Sequence, residues 1–161
     1  MKEKTKGHAP NFAVNEIVIH RASNPCLVDL AINVDEHYLN TFSADGVIIS
    51  TPSGSTAYSL AAGGPIVTPE LNALILTPIC PHTISNRPIV LYPKNEITIE
   101  YKSNHAPVEI TFDGFPCFSI NAGEVITITL SQRLFRLVSM PGHDYFSTLR
   151  NKLGWAGKLR I

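Results

Sequence analysis

The sequence predicts a mainly β domain, a two-layer β-sandwich-like fold with one short inserted helix and a C-terminal helix. Three observations support this fold class. Short segments rich in β-branched residues follow one another through most of the 161 residues. Compact turn signals separate several of these segments. The 12 prolines are scattered along the chain, which suits the edges and connections of a sheet protein.

Seven segments carry the strand signal. Four are short and apolar, and three alternate apolar with polar residues, which is the period of a half-buried strand. The apolar segments are EIVIH (16–20), CLVDLAINV (26–34), GVIIS (46–50) and NALILT (72–77), and the alternating ones are EITIEY (96–101), VEITF (108–112) and EVITITL (124–130).

Turn residues predict how some of the strands are joined. Asp113-Gly114 is a strong two-residue hairpin signal before the segment FPCFSI. NAG (121–123) is predicted to close the next hairpin. Residues 1–10 are interpreted as a linker or frayed end, and residues 11–161 as the folded domain.

Two helices are predicted. The first begins near Ser55 or Thr56, whose hydroxyls would cap it, and ends at Gly63-Gly64. The second is DYFSTLRNKLG (144–154), which an aspartate caps at its start and a glycine ends.

The bulk composition narrows the function classes. Lys plus Arg is 13 and Asp plus Glu is 13, and this balance argues against a dedicated nucleic-acid-binding protein. The sequence shows neither a signal peptide nor an apolar run of the roughly 20 residues that a membrane helix needs. Cys26, Cys80 and Cys117 lie far apart, so we expect buried free thiols in a cytoplasmic protein, with neither a disulfide framework nor a metal site.

STPSGSTAYSLAAGG (50–64) is the main candidate for a binding loop. Gly54 permits a left-handed conformation or a close approach of main chains, and the first turn of the following helix would expose N–H groups to an acceptor. A Walker loop would supply a lysine for the phosphates, and this loop has none. It therefore suits a sugar hydroxyl, a base edge or a single phosphate. The alternative is an ordinary strand-to-helix turn with capping serines.

Two further places carry acidic candidates. Asn15 and Glu16 set an amide beside a carboxylate, a pair that could hold two neighbouring sugar hydroxyls, although Glu16 could merely mark the exposed end of a strand. Asp45 could place a carboxylate near the loop or could simply form a turn. Asp113 is interpreted as a hairpin residue. The polar loop CPHTISNRP (80–88) could contact a ligand or only satisfy its own backbone.

Taken together, several blocks resemble the C-terminal half of NAD kinases from about residue 12 to residue 155. The blocks are NEIVIHR (15–21), DGVIISTPSGSTAYSLAAGGPIVTP (45–69), ICPHTISNRPIV (79–90), FDG (112–114) and YFSTLRNKLGW (145–155). The resemblance implies a β-sandwich-like domain that binds NAD. It also implies transfer of a phosphoryl group from ATP or polyphosphate to the 2′-hydroxyl of the adenosine ribose, which gives NADP, with Mg²⁺ in the complete enzyme. The loop would then hold the adenosine portion of NAD.

The resemblance also implies residue roles. Asn15 and Glu16 match a pair that binds ribose hydroxyls. Asp45 matches an aspartate that reaches NAD bound to a neighbouring subunit in a dimer or tetramer. Thr56, Ala57 and Tyr58 match residues that line the adenine and ribose pocket, with Ser53 at the entry of the loop. Ile84 falls in a loop that lines the adenine pocket, and Ala61 is also assigned to the NAD site.

The chain also departs from the family pattern. Ser43 stands where the family commonly has Lys or Arg, Ala61 ends a helix that often closes with Ser, and Phe115 follows FDG where some relatives are polar. The Gly-Gly-Asp-Gly motif, whose aspartate is the family's proposed general base, does not occur in the sequence. We therefore expect a dinucleotide-binding portion with no catalytic residue of its own. The alternatives are a non-catalytic nucleotide-binding β-sandwich module and the second half of a related lipid kinase.

Overall fold

The computed structural model describes residues 1–5, 11–83, 85–92, 96–138, 140–142 and 144–155. Within these ranges the chain forms eleven strands, one 3₁₀ helix and two α-helices. The strands are β1 (Lys2–Thr5), β2 (Glu16–His20), β3 (Val28–Val34), β4 (His37–Ala44), β5 (Gly46–Ser50), β6 (Leu74–Ile79), β7 (Ile89–Leu91), β8 (Ile97–Tyr101), β9 (Val108–Phe112), β10 (Phe115–Ile120) and β11 (Val125–Thr129), and the helices are the 3₁₀ helix (Ser53–Thr56), α1 (Tyr58–Ala61) and α2 (Tyr145–Leu153).

The strands form two antiparallel sheets. The five-stranded sheet has the order β1-β11-β8-β3-β4, and the six-stranded sheet has the order β10-β9-β2-β5-β6-β7. Apolar residues from both sheets pack into one buried core, to which Ile17, Ile49, Leu30 and Ile99 each contribute a fully buried side chain. The predicted fold class, mainly β with two layers, is confirmed.

The six-stranded sheet is buried on its second face as well. Val18, Ile48 and Ile75 point away from the sandwich core and are at most 3% exposed. The segment that follows β5 covers this face, and the hydroxyls of Ser59 and Thr77 lie 2.9 Å apart across the contact. Burial on both faces explains why GVIIS is continuously apolar instead of alternating.

The strand predictions are largely confirmed. The bounds of β2, β5 and β9 are as predicted, and β3, β6, β8 and β11 overlap the predicted segments with ends that differ by one or two residues. The sequence did not predict β4 and β7. The side chains of β4 are mostly exposed or half-buried, and β7 has only three residues, so neither gives a clear periodic signal.

Residues 1–5 correct the interpretation of residues 1–10 as a linker or frayed end. Lys2–Thr5 pairs antiparallel with β11, and the amino group of Met1 donates to the carbonyl of Ala13 over 3.1 Å. The sequence KEKT resembles a tail because an edge strand commonly carries lysines that oppose further pairing. Residues 6–10 lie outside the described residues.

The two turn predictions have different outcomes. Asp113 and Gly114 have φ angles of 48° and 84°, and Phe112 pairs with Phe115, so the predicted two-residue hairpin is confirmed. The prediction that residues 121–123 close a hairpin is wrong, because β10 and β11 belong to different sheets. That turn instead carries the chain from one layer to the other, and a turn signal alone does not say which sheet follows.

The two helix predictions also have different outcomes. The first helix is split into the 3₁₀ helix and α1, and neither part has a side-chain cap. The predicted hydroxyl cap is wrong because Ser55 donates instead to the carbonyl of Pro52, over 2.6 Å. In α2, Asp144 accepts from two backbone N–H groups and Gly154 ends the helix at a φ of 67°, as predicted.

The three cysteines are free, but the expectation that they are buried is wrong. Cys26, Cys80 and Cys117 are all exposed. Cys26 precedes β3, Cys80 follows β6 and Cys117 lies on β10, the edge of the six-stranded sheet. Among the described helices, none has the length and apolarity that a membrane crossing requires.

Candidate functional site

A cavity of about 560 Å³, lined by both polar and apolar residues, lies on the outer face of the six-stranded sheet. Alternation along β2 builds one wall, since Glu16, Val18 and His20 point outward while the residues between them enter the core. Thr111 pairs with Val18 in the neighbouring strand β9 and extends the same wall. The polar lining residues are Glu16, His20, Arg21, Asp45, Tyr58 and Thr111.

Glu16 is the most buried charged group of this cavity, with 6% of its surface exposed. Burial raises the pKa of its carboxyl, and the nearby Asp113 carboxylate raises that pKa further. Its Oε2 has no hydrogen-bond partner among the described residues. The same holds for the hydroxyl of Ser50, the residue opposite Glu16 on β5. Burying an oxygen without a hydrogen-bond partner costs free energy, and a hydrogen bond donated by a ligand hydroxyl would satisfy Oε2.

Asp45 and Arg21 form an ion pair at the cavity wall. Arg21 Nε lies 2.7 Å from Asp45 Oδ1, and both side chains are about one third exposed, at 37% and 34%. The main chains are also joined, since the N–H of Arg21 donates to the carbonyl of Asp45 over 2.9 Å. Arg21 donates in addition to the carbonyl of Asn24. The described lining of the cavity therefore contains one cation, Arg21, and two carboxyl groups, those of Asp45 and Glu16.

The loop after β5 is seated on the backbone of residues 14 and 15. The N–H of Thr51 donates to the carbonyl of Asn15 over 2.8 Å, and its hydroxyl donates to the carbonyl of Val14 over 2.7 Å. A Cβ on Gly54 would lie 2.1 Å from the carbonyl oxygen of Asn15. Gly54 thus serves the close approach that the sequence predicted, and the loop and the Asn15–Glu16 pair form one unit.

The predicted exposure of N–H groups at the start of this helical segment is wrong. The N–H of Gly54 donates to the hydroxyl of Thr51 over 3.1 Å. The N–H groups of Ser55 and Ala57 donate to backbone carbonyls within the turn. The hydroxyl of Ser55 is also used internally, where it accepts from Val67. The N–H groups of Gly54, Ser55 and Ala57 are therefore occupied within the segment.

The structure brings together three of the predicted site residues, Glu16, Asp45 and Tyr58. Ser53 lines a second cavity of about 420 Å³ beside the loop. Thr56, Ala57 and Ala61 lie along the helical segment after β5. The backbone of Asn15 joins the loop to β2, as described above. Ile84 lies outside the described residues.

Sequence reasoning missed several lining residues. His20, Arg21 and Thr111 line the cavity, and the role of Asp113 extends well beyond its hairpin. The alternation of β2 could have identified His20, because it places residue 20 on the face of residue 16. No local signal identifies Thr111 or Asp113, because pairing between β2 and β9 brings them to the site from far along the chain.

The loop of residues 80–88 is partly structural. The N–H of His82 donates to the carbonyl of Ser43 over 2.9 Å, and Arg87 donates to the carbonyl of Asn86 over 3.0 Å. Within the ranges that the structure describes, His, Cys, Asp and Glu side chains form no cluster of three or more that could hold a metal ion.

Fold and cavity define a class of protein: a two-sheet β domain with a cavity on the outer face of its six-stranded sheet. The family model for the ATP-NAD kinase C-terminal domain matches residues 14–140. The chain therefore belongs to the NAD kinase family, whose C-terminal domain it contains.

Relatives by sequence agree with this assignment. The chain is 67% identical over 150 residues to an NAD kinase from Protochlamydia amoebophila, covering 93% of this chain and 54% of that protein. It is 45% identical over 148 residues to an NAD kinase from Syntrophotalea carbinolica, covering 91% of this chain and 52% of the relative. The chain thus spans about half the length of the relatives it matches.

Solved structures show the same architecture. Yeast NADH kinase, crystallised with NADH, superposes with a TM-score of 0.87 at 32% identity, over 99% of this chain and 50% of the yeast chain. An NAD kinase from Archaeoglobus fulgidus, crystallised with ATP, superposes with a TM-score of 0.69 at 29% identity, over 81% of this chain and 50% of the other.

Proposed function

We propose that this chain is the NAD-binding portion of an NAD kinase. The reaction moves a phosphoryl group from ATP or polyphosphate to the 2′-hydroxyl of the adenosine ribose of NAD and gives NADP. The buried Glu16 carboxylate carries the proposal, because Glu16 lines a cavity shared with Asp45 and Tyr58 and its Oε2 has no hydrogen-bond partner among the described residues. The NADH held by the structurally similar yeast kinase supports this choice of ligand.

The proposed residue roles rest on the family resemblance and on the chemistry of the side chains. The carboxylate of Glu16 accepts hydrogen bonds from the ribose, and Asn15 adds an amide beside it. Tyr58 is 45% exposed at the cavity and offers a ring face and a hydroxyl to the adenosine. The other residues assigned to the NAD site are Ser53, Thr56, Ala57, Ala61 and Ile84.

We assign phosphoryl transfer itself to the complete enzyme. The sequence contains no Gly-Gly-Asp-Gly motif, so the general base that the family resemblance implies is not among these residues. Transfer depends on positioning and on stabilising the charge of the moving group, for which Mg²⁺ bound with ATP would supply positive charge. The ATP held by the similar archaeal kinase supports ATP as the donor. This chain binds and positions the ribose that carries the acceptor hydroxyl, and it is nearly inactive by itself.

We further propose a homo-oligomer, a dimer or tetramer, in the cytoplasm. Asp45 would contribute to the nicotinamide end of NAD bound to a neighbouring subunit. Its position at an open cavity wall, where Arg21 holds it, supports such a contact. The three exposed free cysteines are typical of a reducing compartment and support the location.

Calorimetric titration with NAD and NADP tests the binding function directly. The parent chain is expected to bind NAD. The double variant Asn15→Ala/Glu16→Ala is expected to lose at least about tenfold in affinity, because hydrogen bonds to a charged group are worth roughly 1.5–3 kcal/mol. Asn121→Ala/Glu124→Ala removes a similar amide–carboxylate pair from an exposed turn and serves as the matched control.

Two results would contradict the proposal. One is a folded parent that binds neither NAD nor NADP at any oligomeric state, either alone or with the N-terminal half of the Protochlamydia kinase added. The other is equal loss of affinity in the site and control variants. A coupled assay for NADP adds an independent check, since normal turnover by the isolated chain would remove the assignment of catalysis to the complete enzyme.

A further inference from the structure

The β9–β10 hairpin places a carboxylate on the backbone that carries the Asn15–Glu16 pair. Asp113 Oδ2 accepts from the N–H of Val14 over 2.8 Å, and Oδ1 accepts from the N–H groups of Asn15 over 2.7 Å and Glu16 over 3.0 Å. In return, the N–H of Asp113 donates to the carbonyl of Glu16 over 3.0 Å. Four hydrogen bonds in two directions therefore tie the hairpin tip to residues 14–16.

These bonds are of a strong kind. An ionised acceptor makes hydrogen bonds that are roughly twice as strong as neutral ones. Asp113 reaches three successive amides because it lies in the left-handed region, at a φ of 48°, next to Gly114 at 84°. A simple hairpin would need only the turn conformation, and nothing in such a turn requires its side chain to bind another strand.

The same backbone segment supports the other wall of the site. The carbonyl of Asn15 accepts from the N–H of Thr51, and Gly54 packs against the main chain of Asn15. Asp113 therefore holds one side of residue 15 while the loop after β5 holds the other. A displacement of residues 14–16 would move the Glu16 carboxylate and the loop together.

We propose that Asp113 is a positioning residue of the NAD site, because its carboxylate fixes the backbone of residues 14–16. This inference rests on the proposed function and deepens it. Asp113 does not need to touch NAD for this role. It acts through Glu16 and Asn15, which do.

The charges around Glu16 define the electrostatic part of the inference. His20 and Arg21 face the cavity from the end of β2, Asp45 from the junction of β4 and β5, and Tyr58 from α1. Arg21 is held by Asp45 at 2.7 Å, so its charge is largely matched there.

Asp113 adds a negative charge from the β9–β10 hairpin. After burial, it is the second cause of the raised pKa of Glu16. It also acts on the amino group of Met1, where it opposes the lowering of the pKa by burial.

The test compares Asp113→Asn with Asp35→Asn. Asp35 is a matched control because it also lies in a hairpin at a positive φ, 48°, and accepts from a backbone N–H, that of Glu96, over 3.0 Å. Two quantities are measured on each folded variant: the affinity for NAD by calorimetry, and the titration of the Glu16 carboxyl by carbon-13 NMR, assigned with Glu16→Gln.

Asp113→Asn is expected to weaken NAD binding at least about tenfold, since an amide cannot accept from all three N–H groups. It is also expected to lower the pKa of Glu16, which stays above its ordinary value because burial persists. Asp35→Asn is expected to change neither quantity. The size of the fall separates two effects: loss of the Asp113 charge leaves the Glu16 pKa above its ordinary value, whereas a displacement that exposes Glu16 would return the pKa to that value.

A folded Asp113→Asn variant with the parent's NAD affinity, or with the parent's Glu16 titration, overturns the inference. If the parent itself binds no NAD, the proposed function fails, while the Glu16 titration still decides whether Asp113 acts on that carboxyl. If Asp113→Asn does not fold, the test is made on the parent chain by following its amide NMR signals as the pH is lowered. The amide signals of residues 14–16 should then shift together with the Asp113 carboxyl as it protonates, and independent behaviour would overturn the role.

Discussion

At the residue scale, the buried carboxyl of Glu16 lowers the stability of the folded chain at neutral pH. Its pKa is raised from an ordinary value of 4.5. Between the unfolded and folded pKa values the folded protein binds more protons than the unfolded chain, so the free energy of unfolding falls as pH rises through that window. At neutral pH the buried carboxylate is therefore destabilising. A cost of this kind is expected where a group is kept for binding.

Glu16→Gln should consequently raise the free energy of unfolding at pH 7 and reduce NAD binding. Below pH 4.5, where the carboxyl is protonated even in the unfolded chain, the stabilisation should largely disappear. Urea unfolding at pH 7 and pH 4 measures both effects. The control is Glu70→Gln, which changes an exposed carboxylate and should leave the difference near zero at both values. Equal stabilisation by Glu16→Gln at both pH values would contradict the prediction.

The sequence predicted residue roles only where the chemistry is local. The amide–carboxylate character of Asn15 and Glu16 is visible in the sequence. The burial of Glu16 is not, because an acidic residue at the start of a strand is usually exposed. Asp113 shows the limit most clearly. Its hairpin was predictable from Asp-Gly, whereas its bonds to Val14, Asn15 and Glu16 depend on the pairing of β2 with β9.

At the scale of elements, the loop after β5 and the start of β2 behave as one unit joined by Gly54. A Cβ at this position would meet the backbone of Asn15 at 2.1–2.7 Å, and backbone cannot move away as the end of a flexible side chain could. The glycine is therefore required for packing and not for a positive φ.

Gly54→Ala should lower the free energy of unfolding by about 2–3 kcal/mol, as overpacking does, and should weaken NAD binding. Gly123→Ala is the matched control. Gly123 has a φ of 83° with open space around it, so alanine there should cost only about 1 kcal/mol of backbone strain and leave binding unchanged. Chemical denaturation and calorimetry on both variants check this. If the two variants lost equal stability and neither changed NAD binding, the proposal that the loop and the start of β2 behave as one unit would be wrong.

Element boundaries were predictable where burial imposes a period. β2, β5 and β9 agree with the sequence because each buries at least one full face. The first helix was predicted as a single piece capped by hydroxyls. The structure breaks it at Ala57, and Ser55 bonds to the backbone of Val67, a tertiary contact that capping rules do not contain.

At the scale of the whole molecule, one surface is unusually apolar. Five side chains after β11 are between 68% and 92% exposed: Leu134, Phe135, Leu137, Val138 and Met140. Five exposed apolar side chains this close together in the sequence would form a patch of a size uncommon on a free-standing domain if they share one face. We call these five residues the apolar strip.

The isolated chain should bind a hydrophobic dye such as anilinonaphthalene sulfonate through the apolar strip. Phe135→Ser/Leu137→Ser should reduce the dye fluorescence at least about twofold. Tyr38→Ser/Leu71→Ser removes two exposed apolar side chains from elsewhere on the surface, 65% and 56% exposed, and should have little effect. Equal reductions in the two double variants would show that the strip is not a distinct surface.

The two-layer architecture was predictable from strand alternation, and the family from its motifs. The order of strands was not. β1 pairs with β11, and β2 pairs with both β5 and β9. The sequence of a short strand does not indicate which strand it pairs with. The wrong assignment of residues 121–123 to a hairpin has the same origin, because consecutive strands there belong to different layers.

The bonds from Asp113 to residues 14–16 also bear on the order of events during folding. They join positions 97 to 99 apart in the chain, so the entropy of closing that long loop must be overcome before they form. The site should therefore be completed late, after the local hairpins and only when β9 has paired with β2. A ligand that recognises the completed site meets nothing to bind in the earlier states. NAD should accordingly slow the unfolding of this domain while leaving its refolding rate nearly unchanged.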